Sequence, residues 1–271
     1  MALIAVLWMV AFLSIVATSL TRSIRLETRS AALVWRQTEA MALGDGAIQI
    51  ALQAIASMPQ PLNQMSQTNI TYRGVAMQVQ AMPLNGLVDI NAAGPTLLEK
   101  TFVVAGGLSV QDAQVAGQAV VEMRQRRDSQ GRMQRFEAEE DLLQVPGIGY
   151  DLYARLAPLL TADLRGSGRI NPLAAPVEVL AVLSGGNLAQ AIQIAASRDA
   201  GAVGVDTSSL DGSLIDNAVS RTMRLRARVP MADGTVVYVS RSVDLAARTT
   251  DGMPWHTFRT STSVEPLPLN K

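Results

Sequence analysis

The sequence of 271 residues contains no cysteine, a single histidine and few aromatic side chains. The absence of cysteine excludes disulfide bonds, thiolate nucleophiles and zinc sites built on thiolates, although it leaves the compartment undecided. Basic and acidic residues number 23 each, so the formal net charge is zero. This balance gives no overall electrostatic signature for nucleic acid or anionic lipid. Binding partners must therefore be inferred from local features.

The first twenty residues contain no ionisable side chain. A helix needs roughly 20 apolar residues to cross the hydrocarbon core of a bilayer, because its backbone must be hydrogen-bonded internally there. A cleaved secretory signal is the alternative, but its apolar core is shorter and follows a basic leader, which the first residues of this sequence do not contain. We therefore expect residues 1–20 to span a membrane.

The region from residue 21 to residue 58 continues the same helix in amphipathic form. It contains no proline, and Pro59 and Pro61 end it. Apolar residues form two adjacent rows along this half, which predict a broad face that packs on protein. The rows are Leu26, Leu33, Ala40, Ala47 and Ala54, and beside them Val34, Met41, Ile48 and Ile55. Gly44 and Gly46 interrupt the helix at about 1 kcal/mol each, so packing on a domain must compensate.

Strand patterns occur near both ends of the remaining chain. Residues 70–81 alternate apolar and polar side chains, and residues 223–229 and 237–245 do so on either side of Asp233-Gly234, a hairpin turn signal. We therefore predict an α+β fold, in which a long N-terminal helix packs on a small antiparallel sheet interrupted by a large helical insertion. The predicted domains are the sheet, residues 59–84 and 218–271, and the insertion, residues 85–217.

The insertion contains a helix-hairpin-helix signature over residues 139–160, with Pro146, Gly147, Ile148 and Gly149 at its turn. It also contains an internal repeat, since Ile90-Asn91 and Ile170-Asn171 are each followed by a small loop, a proline and a helical pattern. Helical hairpins of this kind often bind DNA phosphates through turn amides. Here residues 137–163 contain six acids and one base, so we expect no nucleic-acid binding. The arginines of residues 124–135 are interpreted as part of a solvated loop.

Other chemistry-bearing residues favour structural roles. Asp206, Asp211 and Asp216 lie in a segment rich in glycine and serine and are weak candidates for calcium ligands, although their spacing is not that of an EF-hand. Turn and capping roles are favoured for them. His256 lies beside Trp255 in a polar tail without partners for a catalytic triad, and we expect it to be solvated. Ser184-Gly185-Gly186-Asn187 is followed by no lysine and is interpreted as a helix connection rather than a phosphate loop.

Along its whole length the chain resembles the K-type minor pseudopilins of the type II secretion system (the general secretion pathway protein K family). The opening residues 1–8, MALIAVLW, resemble the mature start of that family after prepilin peptidase has removed a leader. Most pilin-like proteins have glutamate at the fifth mature position, and Ala5 matches the exception made by the K-type family. Residues 86–91 resemble the family's junction between sheet and insertion, and residues 136–149 and 169–183 resemble the core of its insertion.

The resemblance implies a structural protein without an active site or cofactor, single-pass in a bacterial (Gram-negative) inner membrane with its folded body in the periplasm. It implies a pseudopilus tip shared with I-type and J-type minor pseudopilins, the start of pseudopilus assembly, and contacts with the major pseudopilin, the secretin or exported substrates. The residues assigned to membrane or assembly contacts are Met1, Ala5, Trp8, Leu26, Leu33, Ala40 and Ala47. Without a carboxylate at Ala5, the apolar segment carries no unpaired charge in lipid, which suits a terminal subunit.

A membrane-anchored DNA receptor of the competence type is the alternative function. Such receptors also combine an anchor with Ile-Asn and Pro-Gly-Ile-Gly hairpins. They require a net basic hairpin and a flexible linker after the anchor, whereas this chain has an acidic hairpin and a continuous helix. The pseudopilin hypothesis is therefore preferred.

Overall fold

A computed structural model describes residues 2–127, 131–164, 166–202, 204–246, 249 and 252–265. Within the first helix it describes the side chains of residues 7–9, 12, 27–28 and those from 31 onward. The described residues combine helices with an antiparallel sheet, so the predicted α+β class is confirmed. In chain order the helices and strands are α1 (Ala2–Ala56), β1 (Ser66–Tyr72), β2 (Val75–Pro83), β3 (Val88–Asp89), α2 (Pro95–Val104), α3 (Val110–Gln125), α4 (Tyr150–Leu156), β4 (Leu160–Thr161), α5 (Val177–Leu183), α6 (Leu188–Asp199), β5 (Thr222–Pro230), β6 (Val236–Asp244) and β7 (His256–Glu265). Short 3-10 helices cover Leu84–Gly86, Glu139–Gln144 and Ala157–Leu159.

Helix α1 is one element of 55 residues, as the pattern without proline predicts. Its buried face begins at Ala40 and contains Ala47, Ile48, Leu52 and Ile55, at helical spacing. Leu33, Val34 and Ala54, which the two apolar rows included, are exposed. Among the described residues no helix is both long and apolar enough to cross a membrane. The predicted span, residues 1–20, falls mainly on residues of α1 whose side chains lie outside this description.

The main sheet has five strands in the order β1-β2-β5-β6-β7, and every neighbouring pair is antiparallel. The strands predicted in residues 223–245 are present as the β5-β6 hairpin, in which Gly234 has a φ of 85° and its N–H donates to the Met231 carbonyl. Residues 70–81, predicted as one strand, instead contain the end of β1, a turn at Arg73-Gly74 with φ of 48° and 79°, and most of β2. Strand β7, in contrast, was not expected. His256, which we placed in a polar tail, is its first residue.

The first core lies between α1 and the main sheet. Apolar side chains of β2, β5 and β6 and the buried Trp255 pack against the helix face from Ala40 to Ile55. Gly44 and Gly46 make this approach possible, because a Cβ on Gly44 would lie 2.6 Å from Val239 and one on Gly46 2.3 Å from Tyr72. The two glycines therefore let the helix backbone meet the sheet closely, which compensates for their low helix propensity.

The second core lies in the insertion, here the residues 84–221 between β2 and β5. Two helix pairs, α2 with α3 and α5 with α6, pack around Phe102, which is 1% exposed. Each pair is joined through two glycines, Gly106-Gly107 and Gly185-Gly186, so the interpretation of the second as a helix connection is confirmed. A two-stranded parallel pairing of β3 with β4 closes the core. The insertion is thus a folded body with its own apolar interior.

Candidate assembly surface

Several apolar side chains of helix α1 are exposed and are not covered by the part of the chain that the structure describes. Trp8 and Trp35 are each 73% exposed, and Leu33 is 64% exposed. Ala40 and Ala47, in contrast, are fully buried against the sheet. Met1, Ala5 and Leu26 lie outside the described side chains. The residues assigned to assembly are therefore divided between a surface available to other subunits and the chain's own core.

Among the described residues, two ion pairs join α1 to strand β6 and to the β5-β6 turn. Asp45 contacts the guanidinium of Arg241 in β6 at 2.7 Å, and Arg36 contacts Asp233 in the β5-β6 turn at 2.8 Å. Both partners are separated from α1 by almost two hundred residues of sequence. The Asp45 pair is the better protected, because the Arg241 side chain is only 11% exposed. These contacts fix the direction in which the exposed part of α1 leaves the sheet.

A cluster of charged side chains joins the insertion to the sheet. The carboxylate of Glu139 lies 3.1 Å from Arg224 in β5 and 3.3 Å from Arg259 in β7. Arg259 also donates two hydrogen bonds to Asp163, at 2.9 and 3.0 Å. The Glu139 side chain is 8% exposed and that of Asp163 12%. We call these four residues the junction cluster; it sets how the insertion sits on the sheet.

The sequence did not reveal the junction cluster. Arg224 alternates with apolar residues of β5 and is indistinguishable from a solvated strand position. Arg259 lies in a strand that the pattern missed, and Glu139 appears as one of several acids before the predicted hairpin. The acidic charge that argued against DNA binding is thus used in part to attach the insertion.

The predicted helix-hairpin-helix over residues 139–160 is present in modified form. Its first element is the 3-10 helix Glu139–Gln144 rather than an α-helix. Gly147 has a φ of 88°, Gly149 precedes α4, and Ile148 is 4% exposed. The turn therefore anchors the hairpin in the insertion core through Ile148.

The two Ile-Asn loops occupy equivalent positions, each just before the first helix of its pair. Pro95 begins α2 and Pro176 immediately precedes α5, as predicted. At the end of each second helix an arginine donates to the carbonyl of an alanine before the first helix, Arg124 to Ala93 at 2.9 Å and Arg198 to Ala175 at 2.6 Å. The insertion is therefore built on a structural repeat of helix pairs.

The asparagines of these loops brace the surrounding chain. The Asn91 amide donates to the carbonyls of Phe136 and Ala162, both at 2.9 Å, and its oxygen accepts from the Phe136 N–H. Asn171 is 1% exposed and accepts from the Leu173 N–H at 3.0 Å. Asn171 also donates to the Asn63 carbonyl at 2.6 Å, so it braces its own turn and joins the insertion to the segment between α1 and β1, whereas Asn91 connects three segments of the insertion.

Asp89, in strand β3, is a buried carboxylate beside these loops. It is 3% exposed and accepts from the Asn91 N–H at 2.8 Å. Burial raises its pKa from 3.8 to about 6, against the opposing effect of that hydrogen bond and of Arg135 and Arg124. The folded protein therefore holds this proton more tightly than the unfolded chain does.

This pKa predicts a stability that falls as the pH rises. The contribution of Asp89 is fully present below about pH 4 and is lost as the pH approaches about 6, in total up to about 3 kcal/mol. Asp89→Asn retains an acceptor for the Asn91 N–H, so urea denaturation from pH 4 to pH 7 should show this fall in the native protein and not in the variant. The exposed carboxylate in Asp151→Asn serves as the control, and an unchanged pH profile in Asp89→Asn would contradict the assignment.

The three calcium candidates lie in separate turns. Asp206, Asp211 and Asp216 accept from the N–H groups of Ser208, Ser213 and Ala218, respectively. Asp211 also pairs with Lys100 at 2.8 Å, and hydrogen bonds from Lys100 and Ser213 lower its pKa to about 2. In the part of the chain that the structure describes, no three metal-ligating side chains come together. Calcium binding by these carboxylates stays a prediction, and their turn roles are visible in the hydrogen bonds.

Comparison with known proteins identifies the fold. No protein-family model matches the sequence, and a search of curated proteins gives no significant match. A chain in the crystal structure of the GspK-GspI-GspJ complex from the type 2 secretion system of enterotoxigenic Escherichia coli superposes on it with a TM-score of 0.52. The match covers 89% of this chain and 99% of that chain, at 14% sequence identity. The resemblance predicted from the sequence is thus confirmed at the level of structure: this chain has the fold of a subunit of the GspK-GspI-GspJ complex.

Proposed function

We propose that the protein is the K-type minor pseudopilin of a type II secretion system and occupies the pseudopilus tip with I-type and J-type subunits. The observation that supports this most strongly is the structural match to a chain of a GspK-GspI-GspJ complex over nearly the whole of both chains. The proposed function is structural: the surfaces of the protein bind other subunits, and its side chains do not take part in a reaction.

The exposed part of α1 supports an assembly role. Its described tryptophans and leucines are more than 60% exposed. An apolar surface of this kind is stabilised when another apolar surface or a lipid phase covers it and removes it from water. In this proposal the inner membrane covers the first half before assembly, and helices of neighbouring pseudopilins cover it afterwards. Leu33, Val34 and Trp35 lie just beyond the sheet-bound segment and are the described residues best placed for such contacts.

The proposal predicts that the full chain in detergent forms a ternary complex with purified I-type and J-type minor pseudopilins. Leu33→Asp together with Trp35→Asp should weaken incorporation into a pseudopilus at least about tenfold, because both changes bring charge into an apolar interface. Neither side chain packs in this chain's core, so the melting temperature should stay the same. Size-exclusion chromatography with light scattering measures the complex, and pseudopilus yield in a reconstituted system measures assembly.

The matched control is Gln49→Asp together with Gln53→Asp, which adds the same charge to exposed positions of the sheet-bound part of α1. Failure to form the ternary complex would contradict the proposal. Binding of a DNA duplex at nanomolar to micromolar concentration, weakening steeply with salt, would instead favour the competence-type receptor.

A further inference from the structure

The described residues of the arginine-rich segment after α3 have a paired backbone, although most of their arginine side chains are exposed. Arg127 and Met133 form an antiparallel bridge, and the Gln134 N–H donates to the Arg126 carbonyl at 2.7 Å. Gly131, with a φ of 77°, accepts a hydrogen bond from the Arg127 side chain. We call residues 124–127 and 131–135 the arginine hairpin. The pairing therefore fixes the backbone from which these arginine side chains extend.

A cleft of about 800 Å³ lies where the end of α3, the arginine hairpin and the 3-10 helix Glu139–Gln144 meet. Arg124 and Arg135 line it, and each is anchored by its Nη2 group, Arg124 to the Ala93 carbonyl and Arg135 to the Ala162 carbonyl. A guanidinium has five N–H donors, so these anchors leave further donors on the same side chains. Asp89, which is buried beside the same two arginines, offsets part of their positive charge when it is ionised.

The lining of the cleft also includes an exposed apolar side chain. Met133 on the hairpin is 58% exposed, whereas Phe136 and Met123 are 3% and 8% exposed and belong to the insertion core. Around them, residues 124–135 contain five arginines and one aspartate. A ligand that combines negative charge with apolar side chains therefore matches this surface. Extended polypeptide with acidic and apolar residues has this combination.

The same residues disfavour the other polyanions. Glu137 and Asp141 form one wall of the cleft, and residues 137–163 beyond it are strongly acidic. The Asp141 carboxylate accepts hydrogen bonds from the N–H groups of Glu137 and Ala138, which offset part of its negative charge. A DNA duplex presents a rigid row of phosphates that this acidic surface repels. An anionic membrane is flat, whereas this site is concave.

We propose that the arginine hairpin and its cleft form a docking site for an acidic, partly apolar segment of a protein partner. The inference goes beyond the proposed function and does not depend on it, since it uses only the charges and shape of this chain. Arg126 and Arg127, both exposed, supply the outer contacts, and Arg124 and Arg135 supply the inner ones.

The test uses the full chain in a non-ionic detergent and a fluorescein-labelled peptide that alternates glutamate and leucine. We expect anisotropy to show saturable binding that weakens as salt increases, and Arg126→Glu with Arg127→Glu to weaken it at least about tenfold. Arg226→Glu with Arg228→Glu changes the net charge equally on β5 and should leave binding unchanged. Circular dichroism melting checks that both double variants are folded.

Three results would overturn the proposal. The first is equal weakening by the two double variants, which would mean that only net charge matters. The second is equally tight binding of a peptide that alternates glutamine and leucine. The third is tighter binding of a short DNA duplex or of anionic phosphatidylglycerol vesicles than of the acidic peptide. Formation of the ternary complex with I-type and J-type subunits is measured separately, so failure here is distinguishable from failure of the proposed function.

Discussion

Glu139→Ala is expected to destabilise the protein by about 3 to 5 kcal/mol, because it removes one carboxylate shared by two arginines. The Glu139 side chain is 8% exposed, and Arg224 and Arg259 are 19% and 28% exposed. Removing one member of a buried ion pair leaves the other charge desolvated without compensation, which costs more than the pair itself contributes. Arg259 retains Asp163, whereas Arg224 loses the ion pair that this cluster provides. The free energy of unfolding in urea measures the loss.

Glu137→Ala provides the matched control, since Glu137 is exposed and contributes its backbone carbonyl, not its side chain, to Arg259. That carbonyl survives the substitution.

A second readout follows from the lack of cysteine. Gln144→Cys and Ser263→Cys place spin labels on the insertion and on β7, and the distance between them should broaden in Glu139→Ala. Equal stability of the two alanine variants would show that the junction cluster does not hold the insertion.

Gly86→Ala is expected to cost about 3 kcal/mol or more, because the added methyl group meets backbone rather than a movable side chain. A Cβ at Gly86 would lie 2.2 Å from the carbonyl oxygen of Ala174 and 2.7 Å from the nitrogen of Ala175. The same crossing is held by a hydrogen bond from the Asn171 N–H to the Asn85 carbonyl, at 2.8 Å. The two backbone segments, around Gly86 and Ala174, therefore cannot move apart without loss of this hydrogen bond. Urea denaturation again gives the free energy.

Gly94→Ala is the control for this substitution. Gly94 precedes α2 with a φ of −68°, which alanine adopts readily, and a Cβ there would meet no atom within 4 Å. Its effect should stay below about 1 kcal/mol. If Gly86→Ala were as mild as Gly94→Ala, the contact between Gly86 and the loop after Asn171 would be looser than the structure shows.

Strand prediction succeeded where one face of the strand is buried and failed where neither face is. In β5, buried Leu225 and Ala227 alternate with the polar Arg224 and Arg226, and this period of two is visible in the sequence. Strand β7 lies at the sheet edge with most of its residues exposed on both faces. Threonine and serine on both sides leave no alternation to recognise. An edge strand of this kind is defined by its backbone pairing alone.

The apolar stripe of α1 predicted which face of the helix is buried, but not how many of its residues the sheet covers. A nine-residue strand is about 30 Å long and therefore covers about 20 residues of a helix at 1.5 Å per residue. The buried segment from Ala40 to Ile55 agrees with that length. Leu33 and Val34 continue the same apolar pattern beyond the sheet. Sequence periodicity does not distinguish residues that pack within a chain from those that pack on a neighbour.

The candidate site was predicted unevenly for a similar reason. The turn at Gly147 and Gly149 depends on local conformation, which the residue types determine, and it was found. The junction cluster and the pair of Asp45 with Arg241 bring together residues far apart in sequence. Their partners become apparent only when the strand register is known. Long-range ion pairs between common residues leave no local signature.

The position of the insertion in the sheet has a consequence for how such a protein can arise. Strands β2 and β5 are antiparallel neighbours, and their last paired residues are Pro83 and Met223. Paired Cα atoms across a ladder lie only about 5 Å apart, so the chain leaves and re-enters the sheet at nearly the same point. The whole insertion thus takes the place of a hairpin loop. A gene could acquire or discard these residues in one step without changing the register of any strand.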